Sequence, residues 1–403
     1  MKLIKSVLGI FGLSFLGFSG FVCCAQNITN WDSLTNWVQT GATAADWNCL
    51  ASSANGTNLA AVANGNGGIY TSTNSGTTWT LQTNAPTSAD WTAIASSSNG
   101  TGLVAVAWDG GIWSSTNSGI AWIQDTNAPI TNWWSVASSA NGSNLVAVSG
   151  AGIASGGIWT STNAGQNWIQ TSAPGENWYS VASSANGSNI VAVDLGGDIW
   201  TSTNLGTTWI TRTNVPDAYW FSVASSSSGT NLFAANGLGG IWRSTNSGAT
   251  WAPTTAPDEN WESVALSSDG SRLVAVAWDD GIWVSTNSGA AWLQTDASSE
   301  YDWFSAACSA DGTKMFAAAY DDGGIWSARA LETAGAPSLT ISRSSNELVV
   351  SWPNLTGWSL YTNANLSVAN NWTIANGAIL TNGTNNFSIP LPVTGNLFFR
   401  LGN

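Results

Sequence analysis

Residues 91–122 read WTAIASSSNGTGLVAVAWDGGIWSSTNSGIAW, and this stretch decides the fold. It holds four short apolar or β-branched segments, which are separated at residues 99–100, 109–111 and 117–119 by Asn, Asp, Ser and Gly. Asn, Asp and Gly supply the positive φ angles that tight hairpin turns need. The stretch therefore predicts four antiparallel strands, which we call A to D in chain order. They begin at Trp91, Leu103, Ile112 and Trp122.

The same pattern recurs seven times along the chain. Each unit opens strand A with a Trp, and these residues are 44, 42, 45, 42, 41 and 42 positions apart. They are Trp47, Trp91, Trp133, Trp178, Trp220, Trp261 and Trp303. Four short strands in a period of about 40 to 45 residues are typical of one blade of a β-propeller. The sequence therefore predicts an all-β chain with a seven-bladed β-propeller.

The two ends of the repeat predict how the ring closes. The seventh unit stops after its third strand, near Trp326, whereas a strand D pattern at residues 36–39 stands before the first unit. We therefore expect the N-terminal strand to complete the seventh blade and close the propeller.

The turns between strands C and D carry a family resemblance. Residues 72–79, STNSGTTW, resemble the Asp-box, Ser-x-Asp-x-Gly-x-x-Trp, and the motif recurs from Ser115, Ser161, Ser202, Ser244 and Ser285. Residues 37–326 thus resemble the Asp-box (BNR-like) propellers of sialidases, sortilin-type receptors, some endoglucanases and photosystem II assembly factors. Asn replaces Asp in all six copies, and an Asn oxygen can still accept a backbone N–H across the turn. The resemblance implies a structural turn, away from the active face.

The N-terminus predicts export. Two lysines precede an apolar run at residues 7–22, and small residues follow at positions 23–25, as in a signal peptide of residues 1–25. No later stretch is apolar for 18 residues, so we expect no membrane span. We expect a protein that is secreted, periplasmic or held at the cell surface.

Composition divides the rest of the chain into two domains. The propeller is expected at residues 26–330, a linker at 331–337, and a small β-rich, sandwich-like domain at 338–403. This last segment is similar to the tails of many secreted bacterial proteins, which end in a run like Phe398-Phe399-Arg400-Leu401.

The charge balance excludes several kinds of partner and chemistry. The chain has 23 carboxylates, nine Lys and Arg, no His, and a net charge of −14. Nucleic acids and anionic lipids require a basic surface, so neither is an expected partner. Without His the usual general base and zinc ligand are missing, so any catalysis must use carboxylates. We expect no cofactor, and a monomer.

One face of the propeller concentrates acidic and aromatic residues. Most carboxylates fall in the B–C turns and the D–A loops, which share a face. Three strands B end in an aromatic residue followed by one or two Asp, where the other blades have Asn64, Ser149, Asp194 and Asn236. Aromatic rings stack on sugars, and carboxylates accept hydrogen bonds from hydroxyl groups. The candidate ligand-binding residues are Trp108, Asp109, Trp278, Asp279, Asp280, Tyr320, Asp321 and Asp322.

Two structural interpretations of the same residues stay open. Asp is a common turn former, and the aromatic side chains can simply fill the wide end of the ring. Asn does the turn-forming work in the C–D turns, however, so turn chemistry alone does not require the negative charge.

Three functions follow from this surface. The first is non-catalytic recognition of an extracellular glycan or protein. The second is glycoside hydrolysis by paired carboxylates. Sialidase activity is not expected, because that family needs three converging arginines and Arg212, Arg243 and Arg272 lie on different elements. The third is calcium binding by Asp279-Asp280 and Asp321-Asp322.

Overall fold

The chain contains only strands in the part that its structure, a computed structural model, describes. The described residues are 11–13, 37–65, 67–150, 156–321, 323–329, 340–343, 347–353, 359–363, 373–374, 379–381, 384–390 and 397–402. Among them no helix is found, and hence none that could span a bilayer. The chain divides into two compact units, residues 32–331 and residues 1–31 with 332–403.

Residues 32–331 form the predicted seven-bladed β-propeller. Each blade is a four-stranded antiparallel sheet in the order A-B-C-D. Strands A are Trp47–Ser52, Asp90–Ser96, Trp133–Ser138, Trp178–Ser183, Trp220–Ser225, Trp261–Leu266 and Trp303–Cys308. Strands B are Leu59–Ala63, Leu103–Trp108, Leu145–Ser149, Ile190–Asp194, Leu232–Asn236, Leu273–Ala277 and Lys314–Ala319. Strands C are Gly68–Ser72, Ile112–Ser115, Gly157–Ser161, Ile199–Ser202, Ile241–Ser244, Gly281–Ser285 and Gly324–Arg329.

Strands D form the outer edge of the blades and are two or three residues long. In blades 1 to 6 they are Thr80–Leu81, Ile123–Gln124, Ile169–Gln170, Ile210–Arg212, Ala252–Pro253 and Leu293–Gln294. Strand D of blade 7 is Val38–Gln39, from the other end of the repeat. Val38 pairs with Ser327 and Gln39 with Trp326, which confirms that the N-terminal strand closes the ring.

The core lies between neighbouring blades. The five residues of most strands B are buried on both faces, as in Leu59–Ala63 and Leu273–Ala277. The seven strand A tryptophans are completely buried, and Trp220 of blade 5, for example, packs against Val191 and Val193 of blade 4. Replacing one such buried Trp with Ala typically costs about 3 to 5 kcal/mol. Burial on both faces therefore explains the nearly continuous Val, Ile and Ala runs.

The C–D turns are held by their own side chains. The Ser72 hydroxyl donates to Asn74 Oδ1 (2.9 Å) and accepts the Gly76 N–H (3.0 Å), and Asn74 Oδ1 also accepts the Thr78 N–H (2.9 Å). The predicted role of Asn as an acceptor across the turn is therefore confirmed.

The prediction that Asn supplies positive φ in these turns is wrong. The left-handed residues are the Gly and the residue before it, such as Ser75 (φ 56) and Gly76 (φ 86). The equivalent non-Gly residues are Ser118, Ala164, Leu205, Ser247 and Ser288. The Asn of these turns does not have a positive φ angle. Its contribution is made by its side chain, whose oxygen accepts a backbone N–H of the turn.

The A–B turns of the seven blades are joined by a closed circle of backbone hydrogen bonds. In each turn one N–H donates to a carbonyl of the next blade at 2.7 or 2.8 Å, and the seventh turn donates back to the first. The donors and acceptors are Ala54, Ser98, Ala140, Ala185, Ser227, Ser268 and Ala310, in that order around the ring. We call these seven residues the turn circle. It closes the propeller a second time, independently of the N-terminal strand.

The second unit contains two four-stranded sheets. One has the order Phe11–Leu13, Leu397–Gly402, Ser359–Asn363, Thr373–Ile374. The other has the order Thr340–Arg343, Glu347–Pro353, Thr384–Pro390, Ile379–Thr381. Phe11–Leu13 lies inside the predicted signal peptide and pairs antiparallel with Leu397–Phe399.

Candidate functional site

The B–C turns and the D–A loops lie together on one face of the propeller, which we call the channel face. Gly110 in a B–C turn pairs with Thr131 in a D–A loop, and Gly239 pairs with Glu259 in the same way. The C–D turns instead contact the A–B turns, for example through the Ser75 N–H and the Thr57 carbonyl (2.9 Å). The repeat thus produces two chemically different faces.

Every strand A carries a β-bulge directly after its Trp. Strands A are the innermost strands, because each contacts strand A of both neighbouring blades around the full circle. The pairing with strand B skips the residue after the Trp in all seven blades. A bulge leaves its residue unpaired and re-aims the side chain. The bulged residues, which we call the channel ring, are Asn48, Thr92, Trp134, Tyr179, Phe221, Glu262 and Phe304.

Four aromatic side chains form a row across blades 2 to 5. Trp108 meets Trp134 edge to face, with ring centroids 4.7 Å apart. Trp134 contacts Tyr179 at 4.9 Å, and Tyr179 contacts Phe221 at 5.3 Å. Because these residues come from successive blades, their contacts show that the channel ring converges on one space. Of the predicted aromatic residues, Trp108 belongs to this row.

Three aromatic side chains of blades 6 and 7 form a separate triad. Trp278 and Tyr320, both predicted, lie 6.2 Å apart between ring centroids. Phe304 of the channel ring contacts Trp278 (6.1 Å) and Tyr320 (5.9 Å). No ring contact joins the triad to Trp108 among the described residues of the propeller, so the three predicted aromatic residues are divided between two clusters.

The strand register corrects the predicted equivalents of these aromatic residues. In blades 3 to 5, Ser149, Asp194 and Asn236 pair with the strand A Trp. In blade 2 the residue that pairs with the strand A Trp is Ala107, and Trp108 is the residue after it. The true equivalents in blades 3 to 5 come one residue later, at Gly150, Leu195 and Gly237. A Cβ on Gly150 would lie 2.2 Å from Trp134 Nε1, and one on Gly237 would lie 2.6 Å from Phe221. In these two blades the missing side chain makes room for the large channel-ring residue.

Carboxylates border the triad. Partial burial, followed by the neighbouring carboxyls of Asp279 and Asp321, raises the pKa of Asp302. The B–C turns of blades 6 and 7 therefore bring Asp279 and Asp321 near the carboxyl of Asp302. In the same way, partial burial and then Asp280 raise the pKa of Glu259. The predicted residue Asp322 lies outside the described residues.

The backbone of the predicted Asp residues bears on their role in the turns. Asp109 (φ 46), Asp279 (φ 62) and Asp321 (φ 47) are left-handed, where blade 1 has Gly65 (φ 60). Asp tolerates this conformation, but Asn and Gly do as well. The turn explains a short polar residue at these positions and does not by itself explain the charge.

Glu262 is the only charged member of the channel ring. Burial raises the pKa of its carboxyl to about 7. After burial, the charge of Glu262 in blade 6 is also a cause of the raised pKa of Tyr179 in blade 4. Only blade 5 separates these two blades, so the charge of Glu262 acts over the channel ring on a residue two blades away.

Two further carboxyls are buried outside the channel ring. Asp194 is 2% exposed, and its Oδ1 accepts the Gly196 N–H while its Oδ2 has no partner among the described residues. Burial raises its pKa to about 6. Asp125 also has a pKa raised by burial to about 6, and it accepts from Ser114 (3.0 Å) and Trp168 (3.4 Å).

Asp125 directly follows strand D of blade 2, and the expectation that carboxylates of the D–A loops lie on the acidic face is wrong for this residue. A Cβ on Gly165, in the C–D turn of blade 3, would lie 2.6 Å from Asp125 Oδ2. The side chain therefore packs against the C–D turn of the next blade, where other blades have Thr at the same position, such as Thr171 under Trp209.

Calcium binding by Asp279-Asp280 and Asp321-Asp322 stays a prediction, because Asp322 lies outside the described residues. Over the described residues, no group of three His, Cys, Asp or Glu side chains has a geometry suited to a metal ion.

Sequence reasoning missed most of the channel ring. The position after the strand A Trp is occupied by Asn, Thr, Trp, Tyr, Phe, Glu and Phe in turn, whereas its neighbours repeat almost unchanged. That variability within an otherwise uniform segment is the signal that could have identified Trp134, Tyr179, Glu262 and Phe304.

No family model and no curated protein matches the chain. Solved structures match it in fold. YCF48 from Cyanidioschyzon merolae gives a TM-score of 0.57 at 14% identity, over 73% of this chain and 98% of that chain. YCF48 bound to D1 peptide gives 0.56 at 15% identity, over 73% and 96%.

A glycoside hydrolase shares the same architecture. The GH74 xyloglucanase from Xanthomonas campestris gives a TM-score of 0.58 at 14% identity, over 79% of this chain and 59% of the xyloglucanase. At these identities the likeness concerns the fold alone. Together with the seven blades and their closure, it identifies this chain as a β-propeller protein.

Proposed function

We propose that this chain is an exported, non-catalytic recognition propeller that binds carbohydrate on its channel face. The observation that carries the proposal is the triad of Trp278, Phe304 and Tyr320, which is bordered by the carboxyls of Asp279 and Asp321. Aromatic faces stack on the apolar side of a pyranose, while carboxylates accept its hydroxyl hydrogens. The rigid ring of blades fixes these groups in advance, which lowers the entropic cost of binding.

The rest of the chain supports this proposal. The pattern of residues 1–25 supports export, and the six Ser-x-Asn-x-Gly-x-x-Trp turns support a place among the Asp-box-like repeat propellers. Propellers of this shape include a xyloglucanase and a protein solved with a bound peptide. Both kinds of ligand are therefore compatible with the architecture, and the stacked triad favours sugar.

A binding screen against soluble glycans and insoluble polysaccharides tests the proposal. We expect the protein to bind at least one polysaccharide, and Trp278→Ala with Tyr320→Ala to weaken that binding at least about tenfold, or 1.4 kcal/mol. The control is Tyr219→Ala, which removes an aromatic ring 57% exposed on the same face but outside both clusters. Equal binding by the double variant and the wild type would contradict the proposed site.

A further inference from the structure

Glu262 places one carboxyl in a channel whose other large side chains are aromatic. Trp134, Tyr179 and Phe221 form a continuous wall from blades 3 to 5, and Phe304 stands in blade 7, next to blade 6. The charge of Glu262 also acts on Tyr179, two blades away in the channel ring. The two remaining residues of the channel ring, Asn48 and Thr92, are occupied by hydrogen bonds between blades. Each donates to a Trp carbonyl of the next blade at 2.8 Å.

The Glu262 carboxyl has no hydrogen bond or ion pair with any described residue of the propeller. The side chain is half-buried, so its carboxyl can still meet water in the channel. A cation that entered the channel would therefore meet a carboxyl that no positive charge of the described protein already compensates.

The cations of the propeller are engaged elsewhere. The five Lys and Arg residues of the propeller are Arg212, Arg243, Arg272, Lys314 and Arg329. Arg212 donates to Thr201, and Arg243 lies over the Phe233 ring. The other three lie at or next to the A–B turns of the opposite face, where Lys314, for example, donates to the Asn55 carbonyl. Any positive charge that binds beside Glu262 would therefore be brought by a ligand.

We propose that the ligand carries a protonated primary amine, which Glu262 binds inside the aromatic walls of the channel ring. Ammonium groups are attracted by a carboxylate and by the faces of Trp, Tyr and Phe rings. The inference rests on the proposed carbohydrate function, because Phe304 belongs both to the channel ring and to the stacking triad. The class of ligand is therefore a polysaccharide of glucosamine units with free amines.

The test compares two oligosaccharides that differ in whether their amines are free or acetylated, and the Glu262→Gln variant separates the effect of the charge from that of the added acetyl groups. Calorimetric titrations use a β-1,4-linked glucosamine hexamer and its fully N-acetylated counterpart, on the wild type, Glu262→Gln and Glu300→Gln. Glu300 is an exposed carboxylate of the same face, so its variant makes the same change in net charge. We expect the free-amine hexamer to bind at least tenfold more tightly than the acetylated one, and Glu262→Gln alone to remove most of that preference.

The number of protons released on binding distinguishes a direct role of the Glu262 carboxyl from a general weakening of binding in the variant. The free Glu262 carboxyl has a pKa raised to about 7, so a bound ammonium shifts it toward the ionised form. Below that pH the wild type should release more protons on binding than Glu262→Gln, measured as a difference in how the heat depends on the buffer. Unchanged melting temperatures for both variants separate binding from folding.

Each other outcome has a definite meaning. Equal binding of both hexamers, unaffected by Glu262→Gln, overturns the inference while leaving the carbohydrate function standing. Binding of neither hexamer, while other glycans bind, also overturns it. A lysine-rich peptide that binds through Glu262 when no glycan binds would overturn the sugar ligand and the proposed function together.

Discussion

At the A–B turns the seven blades repeat one arrangement, whereas at the channel ring the residue after the strand A Trp differs in almost every blade. The turn circle contains only Ala and Ser, joined by backbone hydrogen bonds of 2.7 or 2.8 Å. The channel ring contains small polar, aromatic and acidic residues at seven equivalent bulges. The channel ring lies on strand A and the turn circle lies in the A–B turn that follows it. At each of the two positions the backbone pairing is repeated in all seven blades.

The difference shows how a repeat protein separates stability from recognition. Positions that must join each blade to the next keep the same residue types, because every junction has the same geometry. The bulges do not contribute to the strand ladder, so they can vary without opening the ring. We therefore expect changes at the turns and closing strands to affect stability, and changes at the channel ring to affect binding.

Removing the closing strand should have the largest effect. Deletion of residues 26–40 takes away Trp37, which is 8% exposed, and the strand that pairs with Ser327 and Trp326. The loss of Trp37 alone should cost about 3 to 5 kcal/mol of the free energy of unfolding. Calorimetry should show a lower and broader transition. Val38→Thr, at a position 59% exposed, should melt like the wild type. An unchanged melting temperature after the deletion would show that the turn circle closes the ring alone.

Opening one link of the turn circle should have a smaller effect. Ala140→Pro removes the N–H that donates to the Ala185 carbonyl at 2.7 Å. We expect a loss of about 1 to 3 kcal/mol, seen in urea unfolding. Ala140→Ser keeps the N–H and copies what blades 2, 5 and 6 have there, so it should be neutral. Equal stability of the Pro and Ser variants would mean that the circle contributes nothing.

A pH effect on stability comes from a buried carboxyl beside the site. The folded pKa of Asp194, about 6, is raised above its unfolded value near 3.8, so the folded state binds more protons between these values. The contribution of Asp194 to the free energy of unfolding therefore falls as pH rises from about 4 to about 6. Asp194→Asn, the residue that blade 5 has as Asn236, should be more stable at neutral pH by about 1 to 3 kcal/mol.

The measurement is chemical unfolding at several pH values. Asp217→Asn, which removes an exposed carboxylate of the same face, should leave the pH dependence unchanged. A variant Asp194→Asn that is less stable than the wild type at neutral pH would show that the ionised carboxyl is stabilised in the fold.

Much of this architecture could be predicted from the sequence. The spacing of the strand A tryptophans and the turn residues between strands set the number of blades, and the missing seventh strand D revealed the closure by Val38–Gln39. These features are local or periodic, so the strands and turns predicted for one unit can be applied to all seven blades.

The site could be predicted only in part. The Trp278, Tyr320 and Asp279 group follows from its blade positions, but a bulge shifts the register by one residue and leaves no mark in a single unit. The equivalence of Gly150 with Trp108 was missed for another reason: Trp108 is the sixth residue counted from Leu103, whereas Ser149 is only the fifth counted from Leu145. The packing of Asp125 under Trp168 of the next blade was missed because contacts between blades do not follow the order of the chain.

The central claim is that the repeated turns hold the propeller together while the variable channel face binds the ligand. The most direct test measures melting temperature and the Kd for a bound polysaccharide on two variants, Ala140→Pro and Trp278→Ala with Tyr320→Ala. Our account predicts that the first variant melts lower and binds like the wild type, while the second binds at least about tenfold more weakly, or 1.4 kcal/mol, and melts within a few degrees of it. Loss of binding in the first variant, or full binding in the second, would contradict it.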